Sequence, residues 1–383
     1  MKVFYWSPHL SHVATVSAVI NSAVALCKYS QNTINSTIIN SIGEWDEYKN
    51  ELNKKKVNTI DIFSKKSFKH LPKYGFLKSR YSYWKIFLSS FFSLKNLLKK
   101  EKPNYLIIHL ITSLPIILNF LFNLETRVIL RISGYPKLNF LRKYLWKIFG
   151  KKLYKIVCPT EATKQYLIDQ KIFNKDKIYT LRDPIVNISL INHLKKEQVN
   201  SDFLKDQKFI LSIGRLTKQK NFLFLIECFN QINKKYPDYK LIIIGEGELE
   251  TKIKEHINQL NLNSKILILP FQKNIFKYLK KCECFILSSL WEDPGFVLIE
   301  AASAETPIIS SNCPNGPIEI LSNGNGGFLY ESNKVQSFIN TFDKYKNSSK
   351  NDLKKKIIKA KKEAKNYTLF SHYLNLVKVL DKV

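Results

Sequence analysis

The segment Ser288-Ser289-Leu290-Trp291-Glu292-Asp293-Pro294-Gly295-Phe296-Val297-Leu298-Ile299-Glu300-Ala301-Ala302 holds two glutamates with seven residues between them and a glycine in the gap. Pro294-Gly295 spells a turn, and Phe296 to Ala302 reads as the start of a helix. Glu292 then lies on the loop before the helix, and Glu300 projects from its second turn. Between them, the N–H groups around Gly295, Phe296 and Val297 sit at the positive helix end, equivalent to about half an elementary charge. A carboxylate accepts hydrogen bonds from hydroxyls, and a helix N-terminus accepts an anion. The constellation therefore suits a ligand with hydroxyls on both sides of a phosphate, which describes a nucleotide sugar. Either glutamate alone reads as well as a helix cap or an ion-pair partner; the pair with its glycine is harder to explain in that way.

A second segment supplies cations. The apolar run Phe209–Ile213 ends in Gly214-Arg215-Leu216-Thr217-Lys218-Gln219-Lys220-Asn221, followed by a helical run from Phe222 to Phe229. Strand, glycine turn and helix start make a phosphate-facing corner in doubly wound sheets. Arg215 offers a planar fork to phosphate oxygens, and Lys220 a mobile point charge. Read alone, both are equally well solvated loop charges. A nucleoside diphosphate gains negative charge as it leaves a sugar, and that charge is met either by a divalent metal on paired carboxylates or by fixed cations and N–H groups. The chain contains no D-x-D. The expectation is no metal and no cofactor, with the nucleotide sugar as substrate.

Positioning these residues requires a scaffold. Short β-rich apolar runs alternate with helical stretches, which predicts an α/β protein with parallel sheets. The expected strands are Val3–Trp6, Ser36–Ile39, Tyr105–His109, Val128–Ile132, Lys155–Cys158 and Ile178–Leu181, then Phe209–Ile213, Leu241–Ile244, Ile266–Leu269, Cys284–Leu287, Pro307–Ser310 and Phe328–Tyr330. A polar stretch from His193 to Asp206 separates the two series. Two Rossmann-like domains facing a central cleft follow, residues 1–192 and 207–360, with a linker at 193–206. The segment 361–383 reads as a C-terminal helix that packs back on the first domain. Six cysteines form no C-x-x-C pair and read as buried thiols.

With Pro307-Ile308-Ile309-Ser310-Ser311-Asn312-Cys313-Pro314-Asn315-Gly316-Pro317-Ile318-Glu319, the Gly214-Arg215…Lys220 and Glu292…Glu300 segments resemble glycosyltransferase family 4, in the expected order. The Cys-Pro-x-Gly-Pro-x-Glu form is similar to members that build bacterial surface polysaccharides. The resemblance spans about 208 to 330. It implies the GT-B fold and a retaining enzyme with a UDP-sugar donor and a hexose or N-acetylhexosamine as cargo. It also implies a lipid-linked glycan acceptor, in O-antigen, capsule or similar synthesis. It further implies that Arg215 and Lys220 hold the diphosphate, that Glu292 contacts donor-sugar hydroxyls, and that Glu300 binds the ribose. The backbone at Gly295, Phe296 and Val297 would approach the phosphates. The leaving phosphate oxygen would help to deprotonate the acceptor, so no side-chain base is obligatory. The first half would bind the acceptor and face the membrane.

In that half, the loop Ser7-Pro8-His9-Leu10-Ser11-His12 departs from the glycine pair that many relatives carry there. Ser7 and His9 are its candidates for acceptor or phosphate contact. His109 falls near a cleft histidine of the family and is counted with the catalytic set; a core histidine satisfied by backbone is the other reading. Arg131 closes an apolar strand and would reach phosphate or acceptor.

The net charge is +30. Residues 1–200 hold 33 Lys and Arg against 12 Asp and Glu, and the remainder 28 against 19. A base composition favouring Lys, Asn and Ile would spread the excess evenly, so the first half is expected to meet something anionic. The stretch 138–155 is read as one helix with Leu141, Leu145 and Ile148 at helical spacing, Arg142, Lys143, Lys147, Lys151, Lys152 and Lys155 as charge, and no acidic residue. Such a helix suits an anionic bilayer surface; an ordinary surface helix facing its own sheet is the alternative. No signal peptide or spanning segment is expected. The expectation is a cytoplasmic protein, peripheral on the inner face of the cell membrane. The rival readings are another GT-B enzyme, such as a sugar-nucleotide epimerase, and a basic nucleic-acid-binding protein. The latter lacks a recognisable module and leaves Glu292 and Glu300 unexplained.

Overall fold

The computed structural model describes residues 1–10, 14–63, 76–136, 138–199, 203 and 207–381. The chain forms two compact units, Met1–Ile185 with Leu369–Val383, and Val186–Thr368. In chain order the first unit runs β1 (Lys2–Trp6), α1 (Ala14–Tyr29), β2 (Asn35–Asn40), α2 (Lys49–Lys54), β3 (Asn58–Asp61), α3 (Phe76–Glu101), β4 (Tyr105–Ile108), α4 (Ser113–Phe122), β5 (Arg127–Arg131), α5 (Phe140–Phe149), β6 (Lys155–Cys158), α6 (Glu161–Asp169) and β7 (Ile178–Thr180). The second runs α7 (Ile188–Leu194), β8 (Phe209–Ile213), α8 (Phe222–Lys235), β9 (Lys240–Ile244), α9 (Glu250–Gln259), β10 (Ile266–Leu269), α10 (Phe276–Lys281), β11 (Cys284–Leu287), α11 (Phe296–Ser303), β12 (Ile308–Ser311), α12 (Gly316–Ile320), β13 (Phe328–Tyr330), α13 (Val335–Lys346) and α14 (Lys350–Ala364). The chain then re-enters the first unit as α15 (Leu369–Val379).

Both sheets are parallel, in the orders β3-β2-β1-β4-β5-β6-β7 and β10-β9-β8-β11-β12-β13. Covered on both faces, their central strands need continuous apolar runs rather than alternation. Tyr105-Leu106-Ile107-Ile108 in β4 and Cys284-Phe285-Ile286-Leu287 in β11 supply them, and every residue of both is buried. In the first unit α1, α2 and α15 share one apolar core, and α3, α4, α5 and α6 share another with β1, β4, β5 and β6. Strand order reverses between β1 and β4, and again between β8 and β11. At such a switch point the loops leaving the carboxyl ends diverge and open a crevice. Ser7 and His109 leave one of them; Gly214 and Ser288 leave the other.

The α/β reading and its strands stand, with one addition. β3 carries Asn58-Thr59-Ile60-Asp61, an edge strand too short and polar for the apolar rhythm to reveal. The helix read over 138–155 is shorter: α5 ends at Phe149, Gly150–Lys152 form a single tight turn, and Lys155 belongs to β6. Trp146 is buried, so the outward stripe is Phe140, Leu141 and Tyr144 rather than Leu141, Leu145 and Ile148. The break between units falls at Ile185/Val186, ahead of the 193–206 stretch, because Val186 bridges Thr368 and its N–H donates to the Tyr367 carbonyl. Residues 200–202 and 204–206 of that stretch, and Ser11 and His12 of the β1 loop, lie outside the described residues. The C-terminal segment is two helices, broken by a turn at Lys365–Tyr367. All six cysteines are buried and free. No described helix is long and apolar enough to cross a membrane.

Candidate active site

In the second unit, the loop after β8 is stitched to the loop after β11. The Leu290 N–H donates to the Gln219 carbonyl at 2.8 Å, and the Gln219 amide to the Trp291 carbonyl at 2.9 Å. The Ser288 hydroxyl donates to the Lys220 carbonyl at 2.7 Å. These bonds carry Lys220 across to Glu292, where Nζ lies 2.5 Å from Oε1. The Lys220 stem runs over Gly214: a Cβ on Gly214 would sit 3.0 Å from Lys220 Cδ and Cε. The spacing from Gly214 to Lys220 thus has a steric reason, since a side chain at 214 would push the ammonium out of place. Gly245, after β9, has φ +156°, and a Cβ there would lie 1.9 Å from the Gly214 carbonyl oxygen. Only glycine allows that approach.

Glu292 is buried, and its Oε1 also accepts from the Ser289 hydroxyl at 2.5 Å. Ion pairing and charge-assisted bonding offset the cost of burying the carboxylate. Gly295, the N-cap of α11, has φ +92°, a left-handed conformation that favours glycine, and it lies in van der Waals reach of Glu292. The loop rests on the segment after β12. Glu292 bridges Asn315, Ser311 donates to the Ser289 carbonyl at 2.7 Å, and a Cβ on Gly316 would collide with the Pro294 carbonyl oxygen at 1.6 Å. The Cys313-Pro314-Asn315-Gly316 run is therefore the floor beneath the glutamate loop.

Phe296 and Val297 form the first turn of α11, where N–H groups have no intrahelical acceptor. Glu300, one turn on, keeps part of its surface accessible. Burial nevertheless pushes its pKa up to about 7, against a smaller downward pull from Lys220. Lys220, Glu292, Glu300 and the α11 N-terminus thus form one constellation. Arg215 stands exposed on the same loop and makes no ion pair among the described residues. The arrangement offers an anion-binding helix end, one positioned lysine, one exposed arginine and two carboxylates for hydroxyls. Among the described residues no group of three or more His, Cys, Asp or Glu converges as a metal site.

In the first unit, Trp6 pairs with Ile108, so Ser7 and His109 leave adjacent strand ends. Both are buried, and neither Ser7 Oγ nor His109 Nε2 has a hydrogen-bond partner among the described residues. The ring is thus not a core histidine satisfied by backbone at that nitrogen. A buried polar atom without a partner costs about 1–3 kcal/mol. Burial, then Arg131 and His372, hold the His109 pKa well below its ordinary value, so the ring is neutral. His9 contacts the Ser7 carbonyl at 3.2 Å and stands edge-on to Trp45.

Arg131 is not an open cation. Its guanidinium is buried, donates to Asp183 Oδ1 at 2.5 Å and leans on the Val157 carbonyl at 3.4 Å. Asp183 follows β7, 52 residues away in sequence, with no local signal linking the two. His372 of α15 was equally invisible: it bonds Ser22 Oγ at 2.8 Å and the Arg182 carbonyl at 2.7 Å, and burial lowers its pKa to about 4. Ser289 was legible in principle, three residues before Glu292 in the same loop.

Residues 195–364, which contain the whole constellation of the second unit, match the family model described as Glycosyl transferases group 1. This stretch is similar to that family. The chain is 35% identical over 246 residues to an uncharacterized glycosyltransferase of Methanocaldococcus jannaschii, covering 60% of this chain and 61% of that protein, less than two thirds of its length. It is 28% identical over 324 residues to the Escherichia coli UDP-Gal:alpha-D-GlcNAc-diphosphoundecaprenol alpha-1,3-galactosyltransferase, covering 77% and 78%. The crystal structure of Anabaena HepE in complex with UDP superposes with a TM-score of 0.73 at 13% identity, covering 100% of each chain. That likeness establishes the fold: two parallel-sheet Rossmann-like domains, as in GT-B glycosyltransferases.

Proposed function

We propose that the protein is a retaining, metal-independent glycosyltransferase moving a hexose or N-acetylhexosamine from a UDP-sugar to a lipid-linked glycan in surface-polysaccharide synthesis. It would work at the cytoplasmic face of the cell membrane. The observation that carries the reading is the Lys220–Glu292 pair beside the α11 N-terminus, with Glu300 one turn further on. A diphosphate entering there meets the first-turn N–H groups, Lys220 and the exposed Arg215. As the bond from the anomeric carbon to the phosphate oxygen breaks, the growing charge falls on groups already oriented, so little reorganisation is needed. Glu292, with Oε1 held by Lys220 and Ser289, keeps Oε2 for a sugar hydroxyl; Glu300 takes the ribose. The departing oxygen receives the acceptor proton, the same face is attacked, and configuration is retained. Neutral His109 is assigned a hydrogen bond to the sugar or acceptor, with Ser7 and His9 beside it.

UDP is favoured by the HepE complex and by the donor named for the E. coli relative, and the lipid-linked acceptor by that relative's name. The test is calorimetric binding and slow hydrolysis of UDP- and GDP-sugars, with and without chelator, beside Glu292→Gln. Saturable binding of a UDP-sugar that survives chelator and weakens in the variant supports the proposal. Binding of no nucleotide sugar overturns it, and loss of turnover on chelation overturns its metal independence.

A further inference from the structure

We propose that the outer face of the α3, α4 and α5 layer docks on an anionic lipid bilayer, with the first half of α3 at its centre. This deepens the membrane part of the preceding reading by giving it a surface. Along α3, Tyr81, Trp84, Leu88 and Phe92 recur every three or four residues and are each 56–66% exposed. The opposite side of the helix carries Phe87, Leu94 and Leu98 into the core. Trp84 touches Phe87 and Phe92 touches Phe91 edge-on, but more than half of each outward side chain is left open. α4 adds exposed Leu121, and α5 adds Phe140, Leu141 and Tyr144, with Phe140 85% exposed. The three helices cover one side of one sheet, so their outward faces point the same way. Apolar surface of this extent on a soluble domain marks an interaction site.

The charge says what covers it. α3 carries six Lys or Arg and α5 three, against a single acidic residue, Glu101, at the end of α3. Aromatic side chains between lysines suit the headgroup boundary, where rings sit among the acyl ends and cations meet lipid phosphates. A second copy of this chain would oppose the same positive surface to itself, and like charges across an interface are repelled. Position gives the contact a use. The second and third turns of α3 lie against the loops leaving β1 and β4: Ile86 clusters with Leu10 and Ile111, and the Tyr83 hydroxyl bonds Ser113 Oγ. His109 leaves that same strand end. A bilayer on this face would lie beside the loops assigned to the acceptor.

The experiment is tryptophan emission with vesicles of brominated phosphatidylcholine, with or without brominated phosphatidylglycerol. Of five tryptophans, Trp6, Trp45 and Trp146 are buried, so Trp84 and Trp291 report the surface. The expected result is a blue shift and quenching with anionic vesicles only, abolished by Trp84→Phe, kept by Trp291→Phe and reduced by salt. Leu88→Glu with Phe92→Glu should weaken partitioning roughly tenfold or more, since it replaces apolar anchors with repelled charges. Circular dichroism and UDP-sugar binding, both unchanged in Trp84→Phe and in Leu88→Glu with Phe92→Glu, show that the fold is kept. No vesicle binding at low salt, quenching that survives Trp84→Phe, or a concentration-dependent dimer that buries Trp84 would overturn the proposal. Vesicle docking without any nucleotide-sugar binding would sink the transferase reading alone; the reverse would sink only the docking.

Discussion

Glu300 is the group whose chemistry is most sharply testable, because its pKa of about 7 puts its charge change inside the working range. As an ionised carboxylate it accepts two ribose hydroxyls; protonated, it gives up half of that capacity and presents a donor. If the ionised form alone binds, apparent affinity follows the ionised fraction, which is about nine-tenths one unit above the pKa and about one-tenth one unit below it. Affinity for a UDP-sugar should then fall about tenfold from pH 8 to pH 6, equivalent to about 1.4 kcal/mol. The diphosphate of a UDP-sugar has both phosphates esterified and titrates well below this range, so the slope belongs to the protein. Glu300→Gln should bind more weakly at pH 8 and show no slope. Calorimetry at pH 6, 7 and 8 on both proteins settles it. A flat wild-type profile, or an unchanged slope in the variant, would refute the placing of Glu300 against the ligand.

The same group fixes a stability effect of opposite sense to the usual carboxylate. The folded chain keeps its proton up to about pH 7 while the unfolded chain loses it near 4.5, so stability should fall as pH rises between those values and then level off. The drop is at most about 3 kcal/mol, and Glu300→Gln should flatten the curve in urea titrations. Ser289→Ala removes a donor to Glu292 and should cost about tenfold in donor affinity with little loss of stability; equal binding would show that Lys220 alone positions the carboxylate. Gly316→Ala sets a Cβ 1.6 Å from the Pro294 oxygen and should cost about 1–3 kcal/mol together with donor affinity; a change under about 0.5 kcal/mol would contradict that packing. Asp183→Asn leaves the Arg131 guanidinium buried without its counter-charge and should destabilise by about 3–5 kcal/mol, read as a lowered urea midpoint.

Much of this protein was legible in the chain because the signals are local. A buried parallel strand needs a continuous apolar run, so Phe209–Ile213 and Cys284–Leu287 declared themselves. A turn with φ +92° ahead of α11 suits glycine, so Pro294-Gly295 marked its head, with Glu292 on the loop before it and Glu300 in its second turn. Where local and tertiary demands parted, reading along the chain failed. β3 is half-exposed and lacks the apolar run, and α5 turns Trp146 inward, although aromatic residues on both sides of the helix gave no sign of which face the core would take.

What the tertiary structure alone decided is the partner of each charge. Lys220 and Glu292 are 72 residues apart, Arg131 and Asp183 are 52, and Ser22 and His372 are 350. No periodicity reaches across such distances. The first two pairs exist because parallel strands deliver all their carboxyl ends to one edge, where loops from remote parts of the chain meet; the third exists because α15 packs on α1. Residue type and spacing determined that two cations and two carboxylates would be offered to a ligand. Sheet order determined that Lys220 would sit on Glu292, that Arg131 would be spent on Asp183, and that the aromatic stripe of α3 would be left facing outward.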